Sequence, residues 1–343
     1  LLASGLLGEP PRPASHVLAT IPTGARPFDL AIDRALNRVY VTNYRDHSLT
    51  GVDEATNATI RVPAGTLPYA IAVNDATNRV YATNLGSNTV TVADERTNQV
   101  STVKVDLEPW AIAVNRQTNK IYVANLLSST VTVIDGKTNA TTSVDLGPTA
   151  NPIAIAVNEA TNKVYVADSE NKTVTAIDGS TNATTSIKAG ASPYRLAIDE
   201  QTNKIYVADV SSNDVTVIDG STNATTTVDV GLGPSGIAVN PVTNRIYVAN
   251  SDANTVTVID GATNATTTVH VGVAPQAIAV MPATNEVYVA NSNGGSLTVL
   301  DGDTNAIRTL KVGAVPAALG VNSVTHRIYV ANFIGNTIAV IGE

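Results

Sequence analysis

Three short segments set ionisable side chains beside aromatic ones. Residues 44–47 read Tyr-Arg-Asp-His, while Phe28-Asp29 and Tyr194-Arg195 each follow a proline. His47 has the chemistry of a general acid or base, with Asp29 or Asp46 as the carboxylate that would orient it. The hydroxyls of Tyr44, Tyr69 and Tyr194 can donate to a substrate oxygen. Arg45 and Arg195 can hold a carboxylate or phosphate in a fork. Each group also has an ordinary reading, as a solvated loop histidine or as a member of a surface ion pair.

Other chemistries find less support. The chain has no cysteine, which excludes disulfides, zinc–thiolate sites and thiol nucleophiles. His47 is the one histidine in this group, since His16, His270 and His326 fall on other segments, so no imidazole-rich transition-metal site is expected. Asp168 and Asp209 stand where a recurring motif has Asn, and Glu170 lies just beyond Asp168. These three are weak candidates for Ca²⁺ or Mg²⁺, and no other cofactor is expected. The recurring Asp-Gly pairs, such as 135–136 and 219–220, read as turns despite their likeness to a metal motif. A net charge of −8 and the lack of a basic run argue against nucleic acid, and no apolar stretch is long enough to span a membrane.

The elements that carry these residues are copies of one unit. A tyrosine opens a YVAN-like motif at positions 40, 81, 122, 165, 206, 247, 288 and 329, at spacings of 41 or, once, 43. The longer interval follows from the loop "DLGPTANP", 145–152. Each unit holds four runs rich in Val, Ile and Thr, here named strands A to D, as in GIAVN, RIYVAN, TVTVIDG and TTTVHVG. Strands A and C are almost wholly apolar, which predicts burial on both faces. Thr-Asn pairs mark the A–B and C–D turns, where Asn suits a left-handed backbone. Four antiparallel strands repeated about every 41 residues predict an all-β, eight-bladed β-propeller in one domain. The last unit lacks strand D, and the N-terminal "ATIPTGARP", 19–27, matches one, so the first strand is expected to complete the last blade. Residues 1–15, apolar and then proline-rich, read as a secretion-signal or linker remnant or a disordered tail, and 16–343 as the propeller.

The sequences YVTN at 40–43, YVAN at 122–125, 247–250, 288–291 and 329–332, and the VTVIDG strands resemble the YVTN-repeat β-propeller family over nearly the whole chain. That resemblance implies a secreted, periplasmic or cell-surface protein. Related propellers include lyases and lactonases with a metal in the central channel, yet none of their catalytic residues can be matched here.

Near-identical units allow an internal comparison. Apart from the eight motif tyrosines, the aromatic residues are Phe28, Tyr44, Tyr69, Trp110, Tyr194 and Phe333. Four follow the loop proline before strand A, and two follow the YVTN-like motif. Both positions fall on the D–A and B–C loops, at one mouth of the channel. Equivalent positions elsewhere hold Leu85, Leu126, Ile153 and Val210, or small and polar residues in blades six and seven. The expectation is an aromatic-lined pocket that takes a small hydrophobic or aromatic ligand or a protein partner, with Arg45, His47, Asp29 and Arg195 setting orientation. One alternative is an enzyme without a redox cofactor, such as a lyase, hydrolase or cyclase, acting through His47, Tyr44, Tyr69, Tyr194, Asp29 and Arg195. Another is a structural surface-layer component. The large residues could also simply plug a wide channel.

Overall fold

The computed structural model describes residues 15–342, so the predicted tail lies outside the described residues except for Ser15. The chain forms eight four-stranded antiparallel sheets, each one blade, arranged as a ring. Blade six shows the pattern: strand A at Pro234–Asn240, B at Arg245–Asn250, C at Thr255–Asp260 and D at Thr266–His270. Successive A strands touch one another, and that of blade one touches that of blade eight, so the A strands enclose the channel. The ring closes as the sequence predicts. His16–Pro22 pairs antiparallel with Thr337–Gly342 as the outer strand of blade eight, with Thr20 opposite Ala339. This covers an edge that would otherwise offer unpaired backbone groups. Among the described residues no helix is long and apolar enough to cross a membrane.

Turn chemistry explains the regularity. The Asn residues of the A–B turns (Asn78, Asn119, Asn162) and of the C–D turns (Asn139, Asn182, Asn223) have φ of 52–61°. In each Asp-Gly turn the Asp accepts local bonds. Asp135 Oδ1, for example, takes the N–H groups of Lys137 and Thr138 and the Thr138 hydroxyl.

The core lies between blades. Tyr206, Val215, Val217 and Val228 of blade five pack on Ile246, Val248 and Ile259 of blade six, and the other seams repeat this. All eight motif tyrosines are at most 2% exposed. Strands B and C are the buried pair. The expectation of full burial for strand A is corrected, because its apolar run is half-exposed where it faces the channel.

Polar latches cross the seams. In seven blades the cation that begins strand B donates to a carbonyl in the C–D turn of the next blade, as Lys163 does to Gly220 at 2.7 Å and Lys204 to Gly261 at 2.6 Å. Blade seven is the exception, and it precedes the closing blade. Blade eight takes its strand D from the other end of the chain, so it has no C–D turn carbonyl to offer. Glu286 stands there instead of a cation, pairs with Arg308 at 2.8 Å and accepts from the Tyr288 hydroxyl, while Arg308 reaches Ser15 Oγ.

Candidate functional site

Each strand A begins with a proline, and the residue before it has positive φ in seven blades: Arg26, Leu67, Glu108, Ser192, Gly233, Ala274 and Val315. The exception is blade four, where the loop is two residues longer. Just inside the proline the A–B register slips by one residue, a β-bulge, in every blade. Bulges re-aim side chains. Here the residue after each proline turns to the channel, and Phe28, Tyr69, Trp110, Ile153 and Tyr194 share one cavity of about 380 Å³ with Ser235, Gln276 and Ala317. Below them the next positions of the A strands, including Ile112, Ile155 and Leu196, give the cavity an apolar floor. Gly236 is required there, because a Cβ would lie 2.4 Å from the carbonyl oxygen of Gln276 on the adjoining blade.

The aromatic side chains do not all present open faces. Phe28 stacks on Tyr69 (centroids 4.2 Å apart), and Tyr69 packs at a tilt against Trp110 (4.5 Å). Tyr44 and Phe333 pack on this row at 6.0–6.4 Å. Five of the six thus form one cluster over blades one, two, three and eight. Tyr194 stands apart, under the guanidinium of Arg195, 4.6 Å from its ring. Such stacked rings add stability beyond their buried area, so part of the row fills the channel.

Position within the loops divides the remaining sequence-selected residues. Tyr44, Leu85, Leu126, Val210 and Phe333 are half-buried on the B–C loops and lie outside the cavity lining. Their N–H groups brace the neighbouring D–A loop, as Tyr44 N does on the Arg26 carbonyl and Leu85 N on that of Leu67. Arg45 is exposed, 5.7 Å from the ring of Tyr44, and does not reach the cavity.

The structure places His47 at a turn position outside the cavity lining. Its φ is 49°, and its Nδ1 accepts the N–H of Leu67 at 3.1 Å. Asn88, Asn213 and Asn254 make the same bond in other blades through Oδ1. Asp46 does not orient it, since that carboxylate accepts from Ser48 and pairs with Arg61 at 3.6 Å.

Of the cation candidates, two are engaged in bonds within the protein and one is exposed. Asp168 takes the N–H groups of Asn151 and Asn171 and the Asn171 amide, and Asp209 takes the N–H and hydroxyl of Thr216. Burial, with Asp214 close by, raises the Asp209 pKa. Glu170 is exposed. Among the described residues no three His, Cys, Asp or Glu side chains gather as an ion would need. The Asn that ends the motif also has a structural role, which is to clamp strand C: Asn250 Nδ2 donates to the hydroxyls of Thr255 and Thr257.

Asp29 and Arg195 do line the cavity. Asp29 Oδ1 accepts the N–H of Leu30 at 2.9 Å, and Oδ2 accepts that of Ile71, on the next blade, at 3.1 Å. Loss of water around the carboxyl pushes its pKa up to about 6, against the opposing pull of those N–H groups and of Arg195. Burial first, and then the nearby Tyr194, raise the pKa of Tyr69, which therefore serves as a hydrogen-bond donor at neutral pH.

Thr42, a residue the sequence comparison passed over, holds this corner together. Its hydroxyl accepts from Asp29 N at 3.0 Å and donates to the Tyr69 carbonyl at 2.9 Å. Thr83 accepts from Ala70 N in the same way. The signal was present, since blades one and two alone carry Thr at the third motif position, where the others have Ala.

No protein-family model matches the chain. No curated protein sequence matches it either. Solved structures share the fold. Hydrazine synthase of Kuenenia stuttgartiensis is 17% identical with a TM-score of 0.65, covering 86% of this chain and 97% of that one. A catalytically inactive virginiamycin B lyase from Staphylococcus aureus, with quinupristin, is 14% identical with a TM-score of 0.66, covering 80% and 94%. A streptogramin B lyase is 12% identical with a TM-score of 0.65, covering 96% of both chains. At these identities the likeness is one of fold alone.

Proposed function

We propose that this chain is an extracytoplasmic propeller of the YVTN-repeat kind that binds a small ligand at the channel mouth on the D–A and B–C loop face. The address follows from the motif resemblance. The binding role is carried by one observation: an aromatic row, two tyrosines and an opposed acid and base converge on one cavity of about 380 Å³, a size suited to a small molecule. Trp110 is the only tryptophan of the chain and lines this cavity, so its fluorescence reports occupancy directly. Titration with p-cresol, a small aromatic probe, is expected to quench it saturably, and Tyr69→Ala to weaken the quench. A stack that only plugs the channel gives no saturable quench, while Trp110→Ala then lowers stability without changing any binding.

The carboxyl of Asp29 favours a second reading. A pKa of about 6 suits a group that gives and takes a proton near neutral pH. In that reading the same mouth houses a lyase, hydrolase or cyclase, with Asp29 exchanging the proton, Tyr69 and Tyr194 donating hydrogen bonds, and no redox cofactor. Asp29→Asn would then abolish turnover and keep affinity, whereas a binding module shows no turnover to lose.

A further inference from the structure

One register position of the inner strands is almost uniform. Two residues past the loop proline the eight blades hold Asp29, Ala70, Ala111, Ala154, Arg195, Gly236, Ala277 and Ala318. Six are Ala or Gly, and the two exceptions carry opposite charges. Blades one and five stand four steps apart in a ring of eight, so the acid and the base face each other across the channel.

A self-sufficient ion pair does not account for them. Ion pairs within 4 Å among the described residues involve Arg61, Arg116 and Arg308, and neither Asp29 nor Arg195 takes part. Arg195 is half-buried in the cavity wall and lies over Tyr194, and among the described residues its side chain makes one hydrogen bond, a long one of 3.5 Å to the Tyr194 carbonyl. Each Asp29 oxygen takes one backbone N–H, which fixes the carboxyl and leaves each oxygen a second lone pair. The floor beneath is apolar. Charges in such a place are unfavourable without partners, and Ala serves the fold in five blades. The partners must therefore come from the occupant.

We propose that the occupant is a zwitterion of amino-acid or short-peptide kind, its carboxylate held by Arg195, its ammonium by Asp29, and its side chain against Tyr69 and Trp110. The proposal rests on the binding reading above and narrows its ligand. The Tyr69 and Tyr194 hydroxyls, which make no hydrogen bond to protein among the described residues, supply further donors to the carboxylate.

The test uses the whole chain and Trp110 fluorescence, checked by calorimetry. Four probes share one ring: L-phenylalanine, its methyl ester, N-acetyl-L-phenylalanine and 2-phenylethanol. Glycyl-L-phenylalanine adds a longer span between the charges. One of the two zwitterions is expected to bind at least about tenfold tighter than either singly charged analogue, as two charge-assisted contacts require. Arg195→Ala, which installs the residue five blades already carry, should erase the preference over the ester. Asp29→Asn, which keeps an acceptor for the Ile71 N–H, should erase the preference over the N-acetyl compound. Equal affinity for 2-phenylethanol and the zwitterions overturns this proposal and leaves the pocket standing. Absence of binding by all five probes overturns both.

Discussion

The seam between blades one and two holds the sharpest stability prediction. At four seams an Asn that ends strand A donates to an A–B turn Asn of the next blade, as Asn115 does to Asn162 at 2.9 Å. At this seam Asp33 takes the Asn position, and Glu95 stands where most C–D turns have Gly. Both side chains are buried, Glu95 at 5% exposure and Asp33 at 0%. Among the described residues Asp33 Oδ2 and both Glu95 oxygens have no hydrogen-bond partner, and one proton shared between the carboxyls would join Asp33 Oδ2 to one Glu95 oxygen. Burial, then the bond to Asp33 and its charge, push the Glu95 pKa up to about 8 from 4.5, against Tyr40 and Arg38. A carboxyl whose pKa is raised on folding contributes stability that is complete below the unfolded value and falls as pH climbs toward the folded one. At 1.36 kcal/mol per pKa unit the loss is under about 1 kcal/mol at pH 5, about 3 at pH 7 and between about 4 and 5 at pH 9. Glu95→Gln cannot ionise and still offers an N–H to Asp33. It should therefore match the parent protein at pH 4.5 and exceed its stability by a margin that widens with pH. Urea unfolding of both proteins at pH 5, 7 and 9 measures this margin. Any packing difference adds equally at each pH, so the slope is the signature. Parallel stability curves would refute the shared proton.

Three further outcomes are expected. Thr42→Ala gives blade one the residue found in six others and removes the bonds to Asp29 and Tyr69, so it should keep the fold, lower stability by about 1 kcal/mol in urea and weaken the p-cresol quench. Tyr206→Phe should change stability by under about 0.5 kcal/mol, since that buried hydroxyl has no partner among the described residues, while Tyr288→Phe, which strips a donor from Glu286, should cost about 1–3 kcal/mol. Deletion of residues 16–22 bares the edge of Thr337–Gly342, and light scattering should then show self-association.

The architecture was legible because it is written eight times. A period of 41, Thr-Asn turns and a missing last strand D led to blade count and closure, and the pairing of His16–Pro22 with Thr337–Gly342 agrees. The mouth was half legible. The position after each proline stood out because its residues vary while the flanking ones repeat. Sequence could not tell that Phe28, Tyr69 and Trp110 pack ring to ring in one row, which depends on ring orientation. His47 drew attention as an unusual residue, yet it lies 41 positions before Asn88, a turn residue. The alignment that exposed the aromatic positions also held that answer, which a focus on residue chemistry obscured. Strand A deceived in another way, because an apolar run is equally at home in a sheet interior and on the wall of a channel.

A ring of eight equal blades has eight equal sites, and a small molecule on its axis can use only some of them. Selective binding therefore needs broken symmetry, and each break costs stability relative to the repeated residue. Those breaks are not spread evenly. Blades one and two depart at Asp29, Asp33, Thr42, Thr83 and Glu95, and blades four and five at Asp168, Arg195, Asp199 and Asp209, while blades six and seven keep small or polar residues at the mouth. Asp29 and Asp33 lie at opposite ends of the same strand, Pro27–Asp33, one at the mouth and the other at the far face. The two departures face separate groups, Arg195 across the channel and Glu95 across the seam. Glu95→Gln should consequently move stability and leave the zwitterion preference intact, and Arg195→Ala should do the reverse. A joint response to either change would mean that the strand transmits between its ends, and that the seam belongs to the site.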